Sequence, residues 1–161
     1  MELQFIKMQG LGNDYVYVDT AVQEMHGIDE PALARAVSAR RFSVGADGLI
    51  VIDRCPDADV RMRMYNADGS RGEVCGNGLR CVAKYCRDAG LVTGDTVTVQ
   101  TDAGVRRARI LSGTGRTAVV EVEMGRVERI PERIPVAGRD HRFHLTAPRR
   151  TFYLFACSVG N

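Results

Sequence analysis

Cys75 stands at the head of a helical pattern, followed by Gly76-Asn77-Gly78, with a second cysteine six positions on at Cys81. A thiol just before a helix faces unpaired backbone N–H groups and the positive end of the helix dipole, both of which favour the thiolate. Gly76 and Gly78 leave those amides uncovered, so a carboxylate could dock on the same helix start, close to the sulfur. Asn77 is placed to hold that carboxylate or to cap the helix. Such a site acts on an anionic molecule, either by attack on a carbonyl or by removal of a proton from carbon. A cysteine nucleophile ordinarily uses a histidine to ionise it, and His26, His141 and His144 stand in no motif that supplies one. A thiolate acting as base needs no histidine. It needs enclosure and oriented donors for the carbanion that develops. The alternative is that Cys75 is an inert turn residue; for Cys81 and Cys86, packing on a helix is preferred.

The elements that would position this thiol follow from periodicity. LQFIK (3–7) and DYVYVD (14–19) read as strands on either side of QGLGND, a glycine turn in which Asn13 and Asp14 take left-handed angles or cap with their side chains. Asp29 reads as the N-cap of a helix with Pro31 in its first turn and Leu33 and Val37 on one face; Arg40 and Arg41 close it on the side its dipole favours. SVGADG (43–48) turns into LIVID (49–53), a continuous apolar run suited to a buried strand. VRMRMY (60–65) then alternates with period two, Val60, Met62 and Met64 on one face. NADGS (66–70) carries a strong Asp-Gly turn signal, for which a plain hairpin suffices. Residues 78–90 form a helix with an apolar face of Leu79, Val82, Ala83 and Cys86 and with Gly90 as C-cap. The remainder is strand-like, at 96–101, 105–112, 117–124, 142–146 and 151–157, the first two joined as a hairpin about Asp102-Ala103-Gly104. A domain boundary is expected near residue 118, giving a first unit of 1–117 and a second of 118–161.

Bulk composition excludes several classes. The 161 residues hold 20 Arg and 2 Lys against 20 acidic residues, interspersed, for a net charge of +2. No sustained basic stripe with stacking aromatics is visible, so nucleic acid is not an expected partner. No apolar run is long enough to cross a membrane, and MELQFIKM has no basic region followed by an apolar stretch, which makes the cytoplasm the default location. Five cysteines without secretory context argue against a disulfide framework. Cys81 and Cys86 have a spacing that zinc accepts but would point to different parts of a helix surface, and His141 and His144 read as a solvated strand edge, so no metal is expected.

FIKMQGLGNDYVYVD (5–19), RFSVGADG (41–48), YNADGSRGEVCGNGLRC (65–81) and SVGN (158–161), in that order, strongly resemble the diaminopimelate epimerase family. The resemblance implies an α+β fold of two similar lobes, each with mixed or antiparallel strands wrapped around a central helix, and a substrate held between them. It implies cofactor-independent inversion of LL-2,6-diaminopimelate to the meso form, one thiolate taking the α-proton while an opposing thiol donates one, in the synthesis of lysine and peptidoglycan precursors. Cys75 then resembles the first-lobe catalytic cysteine. Gly76 and Asn77 resemble the residues that hold the reacting carboxylate, and Asn13, Asn66 and Asn161 resemble substrate-contacting side chains. Gln9 and Gly48 depart from residues common in the family. No second motif of the CGSG kind follows, and Cys157, in an apolar strand pattern without glycines, is expected in the core instead. The chain therefore resembles a first lobe and the opening of a second, inactive by itself. The partners implied are the small-molecule substrate and the missing second lobe, with a homodimer as one open assembly. A related racemase with the same paired-cysteine chemistry, or a non-catalytic amino-acid-binding domain, are the alternatives.

Overall fold

The computed structural model of the chain describes residues 2–137, 140 and 142–159. The chain divides into two compact units, Met1–Glu123 and Met124–Asn161.

The first unit is one mixed sheet with a helix on each face. Its strands are β1 (Ile6–Gly10), β2 (Asn13–Asp19), β3 (Gly48–Cys55), β4 (Ala58–Asn66), β5 (Arg71–Gly72), β6 (Thr96–Thr101), β7 (Gly104–Ser112) and β8 (Val119–Val122). The sheet runs β1-β2-β3-β4-β6-β7-β8, with β5 paired to β4. β2 lies parallel to β3, and β4 to β6, while the other pairs are antiparallel. β8 hydrogen-bonds to β7 and so falls in the first unit, ahead of the division at Glu123.

Helix α2 (Gly76–Asp88) packs against β1 and β2 at one end of the sheet order and β6, β7 and β8 at the other. A sheet that meets one helix with both of its ends is curled around it, which is the wrapped architecture expected. Helix α1 (Glu30–Ser38) lies on the opposite face, against β3 and β4. This double cover explains the unbroken apolar run in β3. Leu49 and Val51 join Val16, Val18, Ala34 and Val37 in the core beneath α1. Ile50 and Met62 face α2, where a Cβ built on Gly78 would come 2.7 Å from Ile50 Cδ1 and 3.6 Å from Met62 Cε.

Local chemistry sets the helix ends. Asp29 caps α1 by accepting from the Ala32 N–H at 3.0 Å. α1 stops at Ser38, before Arg40 and Arg41, because the following loop folds back onto its last turn: the N–H groups of Gly45 and Ala46 reach the carbonyls of Val37 and Ser38 at 2.9 and 3.2 Å. At the end of α2, Gly90 takes φ 70°, and the Gly90 and Leu91 N–H groups bond to the carbonyls of Arg87 and Cys86, a Schellman closure.

The first hairpin is tighter than expected. β1 starts at Ile6 and runs through Gly10, so the turn is only Leu11-Gly12, both with positive φ, and Asn13 and Asp14 already belong to β2. A two-residue turn with two left-handed positions matches the twist of its strands.

The second unit contains a 3₁₀ turn at Pro131–Arg133 and an antiparallel hairpin of β9 (Arg142–Ala147) and β10 (Arg150–Phe155). Phe143, Leu145, Tyr153 and Phe155 are exposed on it. Cys157 is exposed as well, beyond the end of β10, and not in a core as its apolar surroundings suggested; a two-stranded ribbon buries no interior. His141 and Asn161 lie outside the described residues. Among the described residues no helix is long and apolar enough to cross a membrane.

Candidate active site

One end of the sheet gathers the motifs. β1 and β4 finish there and β2 and β3 begin there, as the pairings Gly10↔Asn13, Tyr15↔Gly48 and Gly48↔Asn66 show. The first turn of α2 starts at the same end. Gly10 lets it come close: a Cβ at that position would sit 2.9 Å from the Asn77 carbonyl oxygen.

Cys75 is the N-cap of α2, with extended backbone angles of φ −131° and ψ 112°. Its Sγ accepts from the Gly78 N–H at 3.3 Å, and its thiol donates to Asn13 Oδ1, also at 3.3 Å. The sulfur is therefore both the cap of a helix and the partner of a side chain 62 residues away. Tyr15 is buried beside it; that burial and the neighbouring thiol push the Tyr15 hydroxyl well above its usual range.

Behind Asn13 lies a chain of charged contacts. The Asn13 Nδ2 donates to Asp47 Oδ2 at 2.7 Å, and the Asp14 N–H donates to the same oxygen at 3.0 Å. Arg40 bridges Asp47 Oδ1 at 3.0 Å and Asp14 Oδ1 at 2.6 Å, and Lys7 pairs with Asp14 Oδ2 at 2.8 Å. The Arg40 guanidinium beside Asp14 holds its carboxyl down at about 2, against the desolvation of partial burial.

The remaining expected site residues are distributed as follows. Gly76 and Asn77 form the first turn of α2, half-buried, and Asn77 Oδ1 accepts from Arg80, whose Nε reaches the Val120 carbonyl at 3.3 Å. Asn66 ends β4 at the same end of the sheet, but its Nδ2 is turned to Ser70 Oγ at 2.9 Å, within the hairpin that the Asp68-Gly69 pair forms. Asn161 lies outside the described residues. Cys81 and Cys86 are buried on α2, and burial raises both thiols, Cys86 to about 12. Buried thiols raised in this way are packing groups.

Three contributors were missed at the level of sequence: Asp47, Arg40 and Asp14. Asp47 sits in a glycine turn and looked like turn chemistry, and Arg40 looked like a helix-end cation. The signal available was the presence of two acids, Asp14 and Asp47, each at the edge of a glycine turn that opens a strand. Gln9 is a hairpin group, its Oε1 accepting from the Gly12 N–H at 2.8 Å. Gly48 answers a packing demand, since a Cβ there would meet the Tyr65 carbonyl oxygen at 2.1 Å.

The arrangement brings a thiol, helix-start amides and an asparagine amide together at one end of a curled sheet. A family model described as diaminopimelate epimerase matches residues 5–130. The diaminopimelate epimerase of Desulfovibrio desulfuricans is 52% identical over 99% of this chain and 58% of its own length. That of Moorella thermoacetica is 46% identical over 84% of this chain and 48% of its own. The chain thus spans about half the length of these curated relatives. In fold, it is similar to a hydroxyproline epimerase from Agrobacterium vitis solved with trans-4-OH-L-proline, at a TM-score of 0.62 and 11% identity, covering 95% of this chain and 48% of that one.

Proposed function

The chain belongs to the diaminopimelate epimerase family, and from that premise we propose that it supplies one lobe of an enzyme inverting LL-2,6-diaminopimelate to the meso form. The reaction is a cofactor-independent proton transfer at the α-carbon, serving lysine and peptidoglycan precursor synthesis in the cytoplasm. The observation that carries this is the N-cap position of Cys75, its sulfur 3.3 Å from both the Gly78 N–H and Asn13 Oδ1.

In this scheme the substrate α-carboxylate docks on the first turn of α2, at Gly76 and Asn77, where helix amides stabilise the charge that develops as the α-proton leaves. Cys75 exchanges that proton with one face of the carbon. Asn13 and Asn66 contact the substrate from the strand ends, and Asn161 completes the set. Inversion requires a second acid/base group on the opposite face. Cys81 and Cys86 are buried in packing, Cys55 bonds to the Ala58 carbonyl in its own hairpin at 3.6 Å, and Cys157 opens no helix among the described residues. The second cysteine is assigned to the remainder of the second lobe, and the 161-residue segment alone is inactive.

Deuterium incorporation at the α-carbon of diaminopimelate in heavy water tests the reading, with the two-lobe protein containing this segment. Exchange that needs Cys75, on diaminopimelate in preference to proline or histidine, supports it. Exchange on another amino acid alone would indicate a related racemase, and binding without exchange in the two-lobe protein would indicate a non-catalytic domain.

A further inference from the structure

An asparagine amide has one accepting and one donating end, and which end faces a thiol changes the chemistry of the sulfur. The Asp47 carboxylate only accepts, so Asn13 must point its Nδ2 at Asp47 Oδ2, 2.7 Å away, and its Oδ1 is thereby turned to Cys75 Sγ. Asp47 is itself fixed. Its Oδ2 also takes the Asp14 N–H, its Oδ1 takes Arg40, and its own N–H donates to the Asp14 carbonyl at 2.7 Å.

We propose that Asp47 is a positioning residue for Cys75, acting through Asn13: its carboxylate selects the amide orientation that presents a carbonyl oxygen to the sulfur, so that the thiol proton is retained and aimed at Asn13. This rests on the reading of Cys75 as the acid/base group. With the opposite orientation, the amide NH₂ would face the sulfur and stabilise its charge. Among the described residues, the other groups around the thiol are Tyr15 and Tyr17 from β2, Tyr15 also bonding to Asn13, and the Gly78 N–H and Cys81 from α2, with Arg80 near Cys81. None of them takes its orientation from a hydrogen bond to Asp47.

The test is alkylation of the intact chain by iodoacetamide at neutral pH, followed on the tryptic peptide 72–80, whose sole cysteine is Cys75. In Asp47→Asn the amide of Asn13 is free to turn, and labelling of Cys75 accelerates about fivefold, the worth of an ordinary intramolecular hydrogen bond. Asp47→Glu retains most of the slow rate. In an Asn13→Ala background the same Asp47→Asn change alters labelling by less than about twofold, because the two residues act as one unit. Equal rates for the parent and Asp47→Asn overturn the proposal. So does an equal acceleration in the Asn13→Ala background, which would be the loss of the Asp47 charge acting directly on the sulfur. Cys81 and Cys86 report folding in the same experiment, since they stay unlabelled while the core holds. Where Asp47→Asn exposes them, Arg40→Gln loosens Asp47 without removing it, with acceleration again expected only when Asn13 is present and an unchanged rate again overturning the proposal. Loss of α-proton exchange in Cys75→Ser of the two-lobe protein reports separately on the role of Cys75, so the two ideas fail independently.

Discussion

The sulfur of Cys75 and the carbonyl oxygen of Asn13 meet at 3.3 Å across 62 residues of sequence. The contact exists because β2 begins and α2 begins at the same end of a curled sheet, and because Gly10 admits the first turn of α2 against β1. One atom, Cys75 Sγ, thereby caps a helix and faces the candidate substrate site.

The two duties of that atom separate in Cys75→Ser and Cys75→Ala. Serine is among the best N-cap residues and alanine among the poor ones, so Cys75→Ser retains the stability of the chain and Cys75→Ala loses about 1 kcal/mol. A serine hydroxyl is far too weak an acid to replace a thiolate base. In the two-lobe protein both variants are expected to lose α-proton exchange by about 10²-fold or more. Urea unfolding and deuterium incorporation read the two properties, and a serine variant retaining most of its exchange would remove Cys75 from the chemistry.

Two glycines near the site differ in what a methyl group would strike. At Gly10 the new Cβ meets the Asn77 backbone carbonyl at 2.9 Å, and neither β1 nor α2 can yield without shifting. Gly10→Ala is expected to cost about 1–3 kcal/mol as an overpacked contact. At Gly78 the obstacle is Ile50 Cδ1, the end of a flexible side chain, and alanine recovers about 1 kcal/mol of helix propensity. Gly78→Ala should therefore be the milder change, and denaturant midpoints showing it to be the more damaging would contradict this account of the α2 docking.

Much of this was legible beforehand, for physical reasons that differ by element. LIVID could be read as a buried strand because residues buried on both faces sustain an unbroken apolar run, and Asp29 with Pro31 announces a helix start through capping chemistry alone. The Cys75 motif was legible because its glycines and its placement before a helical pattern are local features. The ties from Asn13 to Asp47 and Arg40 were not, since they depend on the parallel pairing of β2 with β3, and no local pattern encodes the partner of a strand. Arg40 was misplaced for the same reason: its position after α1 suggested a dipole partner, and its actual partners are Asp14 in β2 and Asp47 in the turn just before β3.

Acid should loosen this tie at Asp14 only at low pH. Its carboxyl is held at about 2 in the folded chain, below the ordinary 3.8, chiefly by the Arg40 hydrogen bond. A group depressed on folding contributes stability that is complete above its unfolded value and vanishes as the pH falls through its folded value. The difference in melting temperature between the parent chain and Arg40→Gln is expected to be constant above about pH 5 and to shrink between about pH 4 and about pH 2. A difference that persists unchanged below that window would mean Arg40 stabilises the chain by packing alone.

The two-lobe protein should show a bell-shaped dependence of kcat/KM on pH. Inversion between opposed cysteines works only when one is thiolate and the other thiol, and such a pair titrates in two coupled steps whose limits belong to the pair. Raising the pH strips the donor and lowering it occupies the base, so activity falls on both sides. Diaminopimelate docked on the first turn of α2 would also shield Cys75, slowing iodoacetamide labelling of the 72–80 peptide in proportion to site occupancy. A flat pH profile together with labelling of Cys75 that substrate does not slow would place the proton transfer on groups other than this thiol.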